Sequence, residues 1–116
     1  MKRLLPLLTL LLLSSLHAEQ IGFWKVQKVK SNDSLNIREM ATHKSNKVSA
    51  IAHNAQCIKN HGCGKDIDLD SMMNMTEDQV KDFLSQAKDG WCYIEHQGHT
   101  GWVNQYYLKE SKEECK

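Results

Sequence analysis

A chain of 116 residues with 41% hydrophobic and 25% charged side chains has material for one small domain and one modest core. Its 15 basic and 14 acidic side chains nearly cancel, so there is no basic excess of the kind that supplies most nucleic-acid affinity. Four cysteines, an even number, in so small a chain fit a disulfide framework formed outside the reducing cytosol.

The first residues have the three-part layout of a secretory leader. Lys2 and Arg3 precede an apolar run from Leu4 to Leu13 broken only by Pro6 and Thr9, and Ser14-Ser15-Leu16-His17-Ala18 follows, with small Ala18 suited to the last position before cleavage. The run falls short of the roughly 20 residues that span a bilayer as a helix. The expected organisation is therefore a signal peptide over 1–18, a domain over 19–110 and a polar tail over 111–116. No membrane span is expected to remain after cleavage. Loss of Lys2 and Arg3 leaves 13 basic against 14 acidic side chains.

Trp24 to Lys30 alternates apolar and polar residues in all but one step, which predicts a half-buried strand. The turn cluster Ser31-Asn32-Asp33-Ser34 follows, and then Leu35 and Ile37 face one way while Asn36 and Arg38 face the other. Glu39 to Lys47 is polar and without period, a loop. Val48 to Ile51 reads as the next strand, His53-Asn54-Ala55 as a turn with Asn54 suited to the left-handed conformation, and Cys57-Ile58 as the start of another strand.

From His61 to Gly90 the pattern changes. Thr76 and Gln79 have the spacing of a capping box, Glu77 and Asp78 suit the positive end of a helix, and Val80, Phe83, Leu84 and Ala87 recur at helical spacing. Gly90 is placed to stop that helix after Lys88. A shorter helical turn around 71–74 would present Met72, Met73 and Met75. Asp66, Asp68, Asp70, Asn74 and Glu77 fall at positions 1, 3, 5, 9 and 12 of an EF-hand-like calcium loop. Ser71 stands where that loop needs glycine and no helix enters it, so an acidic surface segment capping a short helix explains the same residues.

After this segment, Trp91 to Glu95 and Gly101 to Asn104 flank a turn whose Gly98 supplies positive φ, and Asn104-Gln105-Tyr106 fits a single 3₁₀ turn before Tyr107-Leu108-Lys109. Two stretches, Ser34-Leu35-Asn36-Ile37-Arg38-Glu39 and Trp91-Cys92-Tyr93-Ile94 with Gly98-His99-Thr100-Gly101-Trp102-Val103 and Tyr107-Leu108, together resemble the bacterial SH3 (SH3b) family. Glu39-Met40-Ala41 stands where that family usually has Gly-Pro after the arginine. The resemblance covers about 24–110 apart from the segment 61–90. It implies a mainly β fold, a small SH3-like β-barrel, with an α-helical insertion between two barrel strands.

The resemblance also implies a non-catalytic binding module for cell-wall peptide or peptidoglycan, or for an envelope protein, in the periplasm or cell envelope. Candidate ligand contacts are Asn36 and Arg38 on the outward face of their strand, and Trp91 and Tyr106, which the family places near its groove and which are expected to be exposed. Each has a structural rival: the polar pair can tie down the neighbouring loop, and aromatic rings can fill a core. Trp24 and Trp102 are expected to pack. If 56–60 and 91–96 are neighbouring antiparallel strands, Cys63 and Cys92 lie where the insertion leaves, which favours Cys63–Cys92 with Cys57–Cys92 next; Cys115 in the tail is open to fraying or an intermolecular bridge.

Two alternatives of other classes stand beside this reading. One is a structural or assembly subunit docking through Met72, Met73 and Met75. The other is a metal- or redox-dependent protein using His53, Cys57, His61, Cys63, Cys92, His96 and His99, although no paired Cys-x-x-Cys spacing supports zinc. No nucleophile–base order, paired carboxylates or phosphate loop points to an enzyme, and no motif calls for a cofactor.

Overall fold

The computed structural model describes residues 21–115; the expected leader over 1–18 lies outside the described residues. The fold is mainly β. Strands β1 (Phe23–Val26), β2 (Ser34–Arg38), β3 (Lys47–Ala52), β4 (Ile58–Cys63) and β5 (Asp66–Ile67) precede helix α1 (Glu77–Gln86), and β6 (Trp91–His96), β7 (His99–Asn104) and β8 (Leu108–Glu110) follow it. All pairings are antiparallel, in one sheet of order β3-β2-β7-β6-β4-β1-β8 with β5 on β4. The helix thus enters between two strands that are themselves paired, β4 and β6.

The two-residue period of the strands builds a core on both faces of β6 and β7. Cys92, Ile94 and Val103 turn to one side, joining Trp24, Val26, Leu35, Ile37, Ile51, Ile58 and Leu108. Trp91, Tyr93 and Trp102 turn to the other, where Phe83, Ala87 and Ala41 meet them. Two buried faces mean that β6 and β7 cannot alternate apolar with polar, which is why Trp91 to Ile94 is an unbroken apolar run. The helix supplies the second cover.

Thr76 caps α1 as expected: its side chain accepts from Gln79 N–H, and the Gln79 side chain accepts from Thr76 N–H. The helix ends at Gln86, ahead of the Lys88 expected from the sequence, because Ala87 takes extended backbone and is 4% exposed against the second cluster. Packing, not Gly90, stops it. Gly90, at φ +87°, makes the turn into β6 instead.

β1 is shorter than the alternation of 24–30 suggests. Gln27 donates from its backbone to Tyr107 O at 2.9 Å and from Nε2 to Tyr106 O and Leu108 O at 3.1 Å. Lys28 then adopts φ +59°, which ends the extended run. The left-handed residue expected at Asn54 falls at Cys57, φ +57°, at the entry to β4. In the segment Gly98–Val103 the two glycines do different work. Gln97 and Gly98 both have positive φ and make a two-residue turn, while a Cβ on Gly101 would lie 2.5 Å from Ile37 Cγ2 and 2.7 Å from Arg38 O, so Gly101 lets β2 approach β7.

Two disulfides close the fold. Cys63 pairs with Cys92 across β4 and β6, where the two are register partners, and Cys57 pairs with Cys115. The second bridge corrects the runner-up Cys57–Cys92 and makes the tail cysteine internal: β8 pairs with β1 and Ser111 N–H donates to Phe23 O at 2.9 Å, which brings the tail beside the start of β4.

The β6–β7 hairpin carries a pH signature. His96 and His99 face each other across the turn, and burial, then the charge of His99, hold the His96 imidazole below its ordinary 6.5. A depressed folded value means that the unfolded chain takes up its proton first, so stability falls as pH drops below about 6.5. His99→Gln should therefore lose less melting temperature between pH 7 and pH 5 than the parent, by an amount worth roughly 0.2–1 kcal/mol for a like-charge cross-strand pair. Equal losses in thermal melts of the two proteins would refute the pairing.

Candidate functional site

A groove of about 380 Å³ is bordered by β2, the turn before it, the loop after it, and the start of β6. Leu35 and Ile37 are buried at 6% and 0% exposure, so the strand period sends Asn36 and Arg38 outward, and both line this groove. Trp91 lines it from β6, and Asn104 and Tyr107 from the end of β7 and the 3₁₀ turn Gln105–Tyr107. Residues 36 and 38 therefore meet the sequence-distant residue 91 at one site.

Arg38 also shapes the groove wall. Its Nη1 donates to Ser45 O at 2.9 Å, Ser45 Oγ accepts from Met40 N–H at 2.8 Å, and Glu39 N–H donates to Asn46 O at 2.9 Å. This ties the loop 39–46 into a closed form and brings His43 edge-on to Trp91, with ring centroids 5.0 Å apart. Asn104 Oδ1 accepts from Tyr106 N–H at 3.0 Å, capping the 3₁₀ turn, so its Nδ2 faces His43 Nε2 at 3.3 Å.

Two of the four expected contacts sit differently from expectation. Trp91 is 9% exposed, a core residue of the helix-side cluster that shows only an edge to the groove; the strand period that buries Trp102 on β7 buries Trp91 as well. Tyr106 is 59% exposed but stands outside the lining, with its ring under Lys28 Nζ at 4.5 Å. Lys28 itself is in the lining and links the two. Asn104, Tyr107, Lys28 and Lys30 were missed by sequence reasoning; of these Asn104 alone carried a signal, as the cap of a turn.

A second, smaller depression of about 260 Å³ lies by β4 and β5. His61, 5% exposed, stands between Asp68 Oδ1 at 3.3 Å and Glu95 Oε1 at 3.4 Å. Burial pushes the Asp68 carboxyl up, but Ser71 Oγ–H and N–H, at 2.8 and 3.1 Å, together with His61 hold it below its ordinary 3.8. Asp68 thus caps the short 3₁₀ helix Leu69–Met72, while Asp66 lies in β5 and Glu77 opens α1. The acids of the calcium-loop spacing are spread over three elements. Among the described residues no group of three or more His, Cys, Asp or Glu is arranged to hold a metal ion, and all four cysteines are in bridges.

Met75 is partly buried against the helix-side cluster. Met73, 75% exposed, and Leu69, 78% exposed, face outward from the same segment.

No protein-family model, curated protein or solved structure matches this chain. Its class is defined by its own features: a mainly β, single-sheet domain with one inserted helix, stapled by two disulfides of the kind formed in proteins exported from the reducing cytosol. Among the described residues no helix is long and apolar enough to cross a membrane.

Proposed function

We propose that this chain is an exported, non-catalytic binding module whose sheet forms an SH3b-like barrel, working in the periplasm or cell envelope. Its ligand is a peptide, from the cell wall or from an envelope protein, held in the groove between the loop 39–46 and the end of β7. The observation that carries this reading is the meeting of Asn36, Arg38, Trp91 and Asn104 around one open groove. An apolar ring edge beside the Asn36 amide and the remaining guanidinium donors of Arg38 is a lining suited to extended peptide backbone.

Co-sedimentation with purified peptidoglycan, run in parallel with capture from envelope extract, tests the reading. Asn36→Ala removes a half-buried groove amide without touching the core, and should weaken whichever binding is found about fivefold, the worth of one lost hydrogen bond. Trp91→Ala is the wrong probe because burial makes it a stability mutant. Absence of binding in both assays, or an Asn36→Ala variant that binds like the parent, would overturn the proposal. A second reading, an assembly subunit docking through the Met-rich segment, draws on the exposure of Leu69 and Met73; loss of captured partner on Met73→Glu with groove variants unaffected would favour it.

A further inference from the structure

The charge around the groove identifies its ligand more closely. Lys28, Lys30 and Arg38 line it against one acid, Asp33, in a chain whose charges otherwise nearly cancel. Asp33 is engaged, its Oδ1 accepting Ser34 N–H at 2.8 Å. The ion pairs among the described residues are the two at His61, so none of the three groove cations is paired with a carboxylate there. The opposite charge is gathered elsewhere: residues 66–89 carry seven acidic and two basic side chains. A local excess of cations along the groove draws an anionic ligand toward it.

Lys28 adds a second, independent mark. It holds φ +59°, a conformation that side-chain-bearing residues avoid and glycine adopts freely. Glycine there would meet the same backbone requirement without strain. Its Nζ lies over the Tyr106 ring, 4.5 Å from the centroid, a contact that restrains the ammonium instead of leaving it to sweep through solvent.

We propose that the groove recognises an extended peptide through its carboxylates, with Lys28, restrained by Tyr106, and Lys30 as the anionic anchor, and Asn36 and Asn104 reading the backbone. This rests on the groove being the binding site proposed above. It extends that site to Tyr106, which stands outside the lining itself.

The test is fluorescence anisotropy with a labelled hexapeptide containing three glutamates, beside the same peptide with glutamines. Free-carboxylate and amidated muropeptides serve as unlabelled competitors, so that wall and protein sources are distinguished by which competes. The glutamate peptide should bind and the glutamine peptide should bind at least tenfold more weakly, with affinity falling as salt is raised past the point where the screening length drops below about 10 Å. The double variant Lys28→Gln/Lys30→Gln should lose roughly tenfold. Lys28→Gly is the sharper probe: relief of strain should leave the melting temperature equal or higher while affinity falls, a pair of opposite changes that a purely structural lysine would not give. Equal binding of the two peptides, or Lys28→Gly binding undiminished, overturns the proposal. If, in addition, Asn36-dependent binding to wall or partner persists, only the anionic assignment has failed; if that binding is absent as well, the groove reading has failed with it.

Discussion

Replacing Cys63 and Cys92 together by serine should lower the melting temperature by roughly 15–25 °C. The bridge closes a loop with a sequence separation of 29 residues, and the chain entropy it removes from the unfolded state is worth about 3.6 kcal/mol; each kilocalorie shifts the midpoint of a domain this size by about 4–8 °C. The Cys57–Cys115 bridge spans 58 residues and is worth about 4.2 kcal/mol by the same relation. Against a total stability of about 5–15 kcal/mol for a small domain, loss of both would leave little margin, so full reduction should unfold the protein at physiological temperature. The two bridges also differ in what they hold. Cys63–Cys92 fixes the neck of the inserted segment, whereas Cys57–Cys115 ties the tail after β8, a three-residue edge strand, to the start of β4. The Cys57→Ser/Cys115→Ser pair should therefore free β8 first, visible as fast amide exchange at Lys109 and Glu110 ahead of global unfolding. A thiol titration finding four free thiols in the unreduced protein, or a melting shift under about 5 °C for the Cys63/Cys92 pair, would contradict this.

Much of this architecture is legible in the residues because local signals and tertiary demand agree there. The Thr76–Gln79 capping box, the Gln97-Gly98 turn and the outward pair Asn36 and Arg38 each depend on neighbours a few positions away, and each occurs where the sequence places it. The departures arise where distant packing decides. Ala87 leaves the helix to be buried beside Trp91 and Trp102, and Lys28 breaks β1 because Gln27 is drawn to the backbone of residues 106–108. Trp91 illustrates the difficulty for the site. An apolar run such as Trp91-Cys92-Tyr93-Ile94 does not reveal whether one or both faces are covered, and the cover on the second face, Phe83, is separated from it by a turn and the helix end. The cationic character of the groove was invisible for a similar reason: Lys28 and Lys30, in the connection from β1 to β2, share a lining with Arg38 only in the folded chain.

Phe83→Ala should cost about 3–5 kcal/mol, the usual range for emptying a buried phenylalanine site, and the loss should be concentrated in the helix. Phe83 is the one buried residue within α1. Its ring stands edge-on to Tyr93, centroids 4.7 Å apart, and stacks on Trp102 at 5.5 Å, contacts that add to the area they bury. A helix of ten residues is too short to persist in water on its own propensity, so without this anchor the capping box has nothing to stabilise. Urea unfolding should show the loss, and helical circular dichroism should fall at denaturant concentrations where the strand signal persists. Phe83→Leu, which keeps most of the volume, should recover more than half of the stability, and Val80→Ala, at a half-buried position, should cost under about 1 kcal/mol. The same cluster contains Trp91 and Ala41, the floor of the groove and the start of its loop wall. Phe83→Ala should thus weaken groove binding although no atom of Phe83 lines it, and Phe83→Leu should restore affinity and stability together. Recovery of one without the other would mean that the helix only stabilises the sheet and does not shape the groove.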